Sequence, residues 1–178
     1  MLTKTKIVLD ADVIIHFIEA ERFSLIFNIF PEYEYLILDI VYNELAKSRN
    51  TKNQLDNTLN LFAKRFSKIT FSPKGESRRE FARLTSPMGL ALGLGESACM
   101  VYCRDNSDVL GSSNLKDIKD YCLEHQIPYL TTLDFLYYAY IRHLMTKEEC
   151  EEFIACVRKC GSKLPLTDIT RYVCQVGL

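Results

Sequence analysis

An apolar run near the start of the chain, IVLDADVII, ends on two carboxylates two residues apart, Asp10 and Asp12. Further acids recur at comparable places: Glu44 in VYNELAKS, Glu96 in LGLGESAC, and Asp117 close behind Asn114 in SSNLKD. Carboxylates gathered from distant parts of a chain repel one another and are costly to crowd together unless cations neutralise them. Oxygen donors with no His or Cys beside them suit Mg²⁺ or Mn²⁺ rather than zinc. Such an ion can activate a water and stabilise the leaving oxygen of a phosphodiester. Each acid also has a purely structural reading. Asp10 fits a strand-end turn, Asp12 a helix cap, and Glu44 a helix surface. Glu96 suits the positive end of a helix dipole whether or not a metal is present. Asn114 with Asp117 resembles a capping arrangement, and Thr131-x-x-Asp134 is a better one.

The elements that must position these groups alternate in type. Short β-like runs are expected at residues 6–11, 33–39, 68–72, 108–113 and 127–132. Amphipathic stretches at 12–30, 40–66, 75–104 and 114–125 separate them, with further helices from 133 to about 176. Strand, helix, strand at these connection lengths predicts βαβ units and a parallel sheet covered on both faces. Ligands of an open parallel sheet collect at the carboxyl ends of its strands. Asp10, Asp12 and Asn114 fall there, with Asp117 following directly. The fold class is α/β, and a single domain spanning 1–178 accounts for the length.

Composition narrows the classes. At 48% hydrophobic and 25% charged the chain has the profile of a globular protein rather than a disordered one. No apolar run approaches the roughly 20 residues of a membrane span. Asp10 and Asp12 interrupt the stretch that would otherwise resemble an export signal, so a cytoplasmic protein is expected. The seven cysteines are an odd number with no CxxC pair. Cys99 with Cys103 and Cys156 with Cys160 have helical spacing that suits a soft metal in principle. No His or third Cys completes either set, which predicts buried, reduced thiols. His16, His125 and His143 sit in helical patterns and read as structural. So do most of the tyrosines and phenylalanines, which fall at core-like positions, and the run Glu148, Glu149, Glu151, Glu152 reads as a solvated helix face.

The net charge of −1 hides an asymmetry. From Lys47 to Arg83 there are ten Lys or Arg against three Asp or Glu, whereas the rest of the chain holds twelve against twenty. A basic block beside an acidic remainder suits a protein that meets phosphates on one face. Lys47, Arg49, Arg78, Arg79 and Arg83 are the substrate-binding candidates, the alternative being a solvated surface.

The segments IVLDADVII, VYNELAKS, LGLGESACMVYC and VLGSSNLKDIKDYCLEHQIPYLTTLDFL resemble, in that order, the sequence blocks of PIN domains. The similarity runs over about residues 4–140. The likeness is to the branch with a Gly-Glu helix start and a G-T-L-like strand-five block. The tail CVRKCGSKLPLTDITRYV, within an extension of about 146–178, resembles that branch's short terminal helices. The resemblance implies a five-stranded parallel sheet of order 3-2-1-4-5 with a site between strands one and four. It also implies a Mg²⁺- or Mn²⁺-dependent ribonuclease, often the toxin of a toxin–antitoxin pair, with RNA as substrate and an antitoxin protein or a second copy as partner. Carried over by position, Asp10, Glu44 and Glu96 match the first three family acids, with catalytic roles for these and Asp117. The metal ligands become Asp10, Glu96, Asn114 and Asp117, with Asp12 as a further candidate.

The fourth block departs from the family pattern. Where one or two aspartates are usual, this chain has Asn114 and Leu115. That substitution keeps a second reading open, a PIN-like scaffold that binds RNA or a protein without cutting. A third reading takes the Asp10-x-Asp12 block as the nucleophile and general acid of a haloacid-dehalogenase-type phosphatase. SSNLKD lacks the further acid pair which that chemistry requires.

Overall fold

A computed structural model describes residues 6–174 of the chain. Its five strands are β1 (Ile7–Leu9), β2 (Tyr35–Leu38), β3 (Phe66–Ile69), β4 (Val109–Gly111) and β5 (Tyr129–Leu130). All pairings are parallel and the order is β3-β2-β1-β4-β5, the α/β arrangement that the alternating pattern predicts. Every residue of β1, β2 and β4 is buried. Successive strand side chains point to opposite faces, so both faces of the sheet are covered. β3 forms an edge and is open on one side. It carries Lys68 there, which blunts an otherwise pairable edge.

The helices are shorter than the amphipathic runs suggest, and each break has a local cause. The first stretch divides into α1 (Ala11–Glu19), a 3-10 turn at Phe23–Leu25 and α2 (Ile26–Ile29). Glu21 takes a left-handed φ of 55° between them. The second divides into α3 (Asp39–Leu45) and α4 (Arg49–Leu61), where the Ser48 hydroxyl accepts from the Thr51 amide and starts a new helix. The third divides into α5 (Gly75–Thr85) and α6 (Leu94–Asn106) around a tight loop. A Cβ at Gly89 would stand 1.9 Å from the Arg83 carbonyl oxygen, so only glycine fits that turn. α7 (Leu115–Glu124), α8 (Thr132–Ile141) and α9 (Lys147–Lys159) follow.

Two boundaries depart further from expectation. β3 begins at Phe66 rather than 68, because Phe66 is buried against Phe23 and Phe27 and pairs in register with Tyr35. A strand takes it although its spacing suits a helix. Among the described residues the expected terminal helices reduce to one 3-10 turn at Ile169–Arg171 after α9, and the end of that expectation, at about 176, lies outside them. Gly161 sits at φ 97° just past the helix, and Pro165 follows in extended chain. The tail is held by the Tyr172 hydroxyl, which donates to Asp134 at 2.8 Å.

The core runs across the sheet. Ile7, Val8 and Leu9 are buried among Phe17, Phe27, Phe30, Tyr35 and Phe135. α6 lies against β1, β2 and β4 with α5 and α7 beside it, and α1 packs with α9. Strand order reverses at β1, whose neighbours β2 and β4 feed the chain to opposite sides. That is where an open sheet leaves a crevice at its carboxyl edge. Among the described residues no helix is long and apolar enough to cross a membrane.

Candidate metal centre

Asp10 follows β1 directly. Its amide donates to the Gly111 carbonyl at 2.8 Å, which ties the end of β1 to the end of β4. It is the N-cap of α1, with Oδ1 accepting from the Ala11 amide at 2.8 Å. Oδ2 accepts from the Ser112 hydroxyl at 3.2 Å. Asp12 lies in the first turn of α1, where Oδ1 accepts from the Val13 amide at 2.6 Å. Its Oδ2 reaches across to the exit of β4 and accepts from the Ser113 amide at 2.7 Å.

Glu96 comes from the first turn of α6. The start of α6 meets α3 closely. A Cβ built on Gly95 would lie 3.1 Å from Glu44 Oε2, 3.2 Å from Val41 Cγ2 and 3.8 Å from Asp10 Oδ1. The missing side chain at Gly95 thus lets two carboxylates from separate elements approach one point. On the other flank, the Asn114 side-chain amide donates to Asp117 Oδ2 at 2.8 Å and favours the charged form of Glu96. Asn114 stands at the N-cap position of α7 without capping it, so its side chain is given to the acids instead. With its nitrogen turned to those acids, its carbonyl oxygen is left as the free donor; that orientation follows from the bonding pattern.

The electrostatics follow from crowding. Burial raises the Asp10 carboxyl to about 8, and the charges of Asp12 and Glu96 add to the rise. Glu96 is raised to about 7 by burial and then by Asp117. Burial raises Asp12 as well, against the amides and hydroxyl that hold its charged form. Asp10 is only 6% exposed and Glu96 8%, yet no Lys or Arg among the described residues pairs with Asp10, Asp12, Glu44, Glu96 or Asp117. Buried charge without a cation is the condition that a bound metal relieves. The donor chemistry, carboxylates with an amide carbonyl and hydroxyls, fits a hard divalent ion. As the side chains stand, no three His, Cys, Asp or Glu among the described residues converge at metal-holding spacing.

The basic candidates divide into two groups. Lys47 and Arg49 are exposed and lie just past Glu44, in the turn and first residue of α4. Arg78 and Arg79 are elsewhere. Ser77 beside them bonds Asp105 at 2.5 Å, and Asp105 lies nine residues beyond Glu96 on α6. At 1.5 Å per residue this puts them roughly 13 Å along that helix from the acids. Arg83 is engaged by Glu80 through two bonds of 2.9 and 2.8 Å.

Sequence reasoning passes over Ser112 and Ser113, which bind Asp10 and Asp12, and Gly95, which makes room for Glu44. The signal is present in the small residues beside the acids. His16 is buried, and burial lowers its pKa to about 4. His125 stacks near Tyr121 with ring centroids 4.3 Å apart, and His143 occupies a left-handed turn. Thr131 and Asp134 form a full capping box. Cys99, Cys103, Cys122 and Cys150 are buried thiols, but Cys160 is exposed and Cys156 and Cys174 are half-buried. Cys160 is the C-cap of α9 and so lies beyond the buried face of that helix.

No family profile matches the chain, and no curated protein is significantly similar to it. Among solved structures, a chain of VapBC2 from Rickettsia felis, crystallised bound to a DNA fragment from its promoter, matches with a TM-score of 0.51. Identity is 17%, and the match covers 71% of this chain and 98% of that one. The fold is PIN-like. This likeness is one of fold, and the chemistry must be argued from the residues.

Proposed function

We propose that this PIN-like chain is a Mg²⁺- or Mn²⁺-dependent endoribonuclease, folded as a single cytoplasmic domain and held in check by a partner protein in the manner of a toxin with its antitoxin. The observation that supports the reading is the pair of buried carboxylates, Asp10 and Glu96, which raise each other's or neighbouring acids' cost of ionisation at the carboxyl edge of the sheet, with no Lys or Arg among the described residues paired to them. Asp10, Glu96 and Asp117 would hold the ion, with the carbonyl oxygen of Asn114 and with Asp12 alongside. A bound divalent ion supplies Lewis-acid stabilisation of the charge that develops on the phosphate.

The chain's own groups do the rest. Ala11 N–H and Ser112 Oγ fix the direction of the Asp10 carboxylate. Glu44 is exposed, so it can meet an incoming strand and accept a proton from the attacking water. Lys47 and Arg49 beside it draw the phosphates in. In the overall step water adds to phosphorus, the P–O bond to the leaving oxygen breaks, and each product takes one of the water's protons.

Calorimetric Mn²⁺ titration followed by cleavage of a labelled single-stranded RNA tests this. Binding and cleavage that are both lost in Asp10→Asn support the nuclease. Asn114, neutral where PIN domains carry an acid, favours one alternative, an RNA-binding scaffold. RNA binding without Mn²⁺ uptake would establish that alternative. The phosphatase reading has less support, since the nucleophile it needs, Asp10, is almost fully buried.

A further inference from the structure

Behind the acid cluster a chain of hydrogen bonds leads inward from Asp12. The Asp12 carboxylate accepts from the Ser113 amide at 2.7 Å. The Ser113 hydroxyl oxygen accepts from the Thr132 amide at 2.8 Å and lies 2.8 Å from the Thr132 hydroxyl. That hydroxyl in turn lies 2.8 Å from His16 Nδ1. Thr132 is fully buried and His16 nearly so. The bonds join three elements that sequence keeps far apart: α1, the exit of β4 and the first residue of α8.

We propose that His16 is a positioning residue for the acid cluster, acting through Thr132 and Ser113 to hold the Ser113 amide on the Asp12 carboxylate. The argument is one of satisfaction and geometry. A buried hydroxyl is costly to leave without a partner, so Thr132 keeps both of its partners and pins the Ser113 hydroxyl from the buried side. With that hydroxyl and its amide both engaged, the loop leaving β4 has one orientation, and the amide can only face Asp12. The same loop carries Ser112, which bonds Asp10, and Asn114, which bonds Asp117. His16 lies four residues beyond Asp12 on α1, one turn further into the protein. It therefore braces the cluster from the helix that bears two of its acids. The functional meaning of this brace rests on the reading of the cluster as a metal centre.

The test uses the whole chain. In metal-free protein, hydrogen exchange of the Ser113 amide is compared with that of the Leu110 amide, which bonds the Pro128 carbonyl within the sheet. His16→Phe should speed Ser113 exchange about tenfold or more while leaving Leu110 unchanged, since local opening is separable from global unfolding. His16→Asn, whose amide can take the place of Nδ1, should restore protection. Thr132→Val supplies the same comparison should His16→Phe fail to fold. Unchanged Ser113 exchange, or Ser113 and Leu110 accelerating together, overturns the assignment. In Mn²⁺ titrations, removing such an outer hydrogen-bond partner weakens binding about 10- to 100-fold. His16→Phe should show that weakening in the parent and not in an Asp12→Asn background, because the brace acts through Asp12. Equal weakening in both backgrounds also overturns it. If the parent takes up no Mn²⁺, the nuclease reading is what fails, and the Ser113 exchange decides the brace by itself.

Discussion

Replacing Asp10 by Asn should stabilise the metal-free protein at neutral pH while destroying its capacity for metal. The native carboxyl is raised from 3.8 to about 8, by burial first and by Asp12 and Glu96 after. In the unfolded chain the same group is ionised from about pH 4 upward. Between these values the native state holds a proton that the unfolded state has released, so stability falls as pH rises through that window. At 1.36 kcal/mol per pH unit the ceiling on this cost at pH 7.5 is about 5 kcal/mol, and relaxation with water entry brings the expected gain to about 3 kcal/mol. Asn keeps the geometry. Its carbonyl can still accept from Ala11, and its amide can donate to a Ser112 hydroxyl that turns to Asp12, 3.4 Å away.

Urea denaturation in chelator at pH 5.5 and 7.5 gives the measurement. The parent should be more stable at pH 5.5, by up to about 2.7 kcal/mol from this group. Asp10→Asn should exceed the parent at pH 7.5, with a melting temperature higher by about 6–12 °C, and should vary less with pH. Saturating Mn²⁺ should remove the parent's deficit and leave the variant unmoved. A variant no more stable than the parent at pH 7.5 would refute the claim that the fold opposes ionisation of the Asp10 carboxyl.

Other expectations follow from the same geometry. Asn114→Asp should tighten Mn²⁺ binding and raise RNA cleavage, since it adds a charge beside Glu96 and Asp117; calorimetry and a labelled-RNA assay read both. Asp117→Asn should lower Mn²⁺ affinity, and an unchanged titration would remove Asp117 from the ligand set. Gly95→Ala should lower cleavage more than it changes the melting temperature, because its Cβ would stand 3.1 Å from Glu44 Oε2 and 3.2 Å from Val41 Cγ2; a melting curve together with an activity assay separates the two effects. Lys47→Glu with Arg49→Glu should weaken RNA binding and reduce its log–log salt slope by roughly 0.7 for each phosphate no longer neutralised. Arg78→Glu with Arg79→Glu should change both much less, given their distance along α6.

The fold was legible because the apolar runs that become β1, β2 and β4 are short, buried on both faces and separated by helical stretches. Helix ends were less legible, since they depend on single residues. Ser48 starts a helix that hydrophobic spacing alone would have run through, and Gly89 forces a turn whose tightness shows only beside the Arg83 carbonyl. Phe66 illustrates the competition between levels. Its spacing from Phe62 fits a helix, but aromatic packing on Phe27 and pairing with Tyr35 draw it into β3.

For the site, residue type identifies the acids, but only their partners separate one acid from another. Asp39 follows β2 much as Asp10 follows β1. The Asp39 carboxylate is taken up by the amides of Ile40 and Phe71, each at 2.9 Å, and fixes the chain after β3. Asp10 accepts from one amide and one hydroxyl while facing other carboxylates, so its ionisation is opposed. The basic block shows the converse limit. Charge density from Lys47 to Arg83 suggests one continuous rim, but Arg78 and Arg79 follow Ser77, which bonds Asp105 toward the far end of α6, and Glu80 takes up Arg83. Sequence proximity to an acid is therefore a weak guide to proximity in space when about 13 Å of helix intervenes. What survives of the rim is the pair next to Glu44. Those two cations follow the exposed acid by three and five residues, so under the nuclease proposal a strand drawn to them should arrive at Glu44 before it reaches the buried carboxylates.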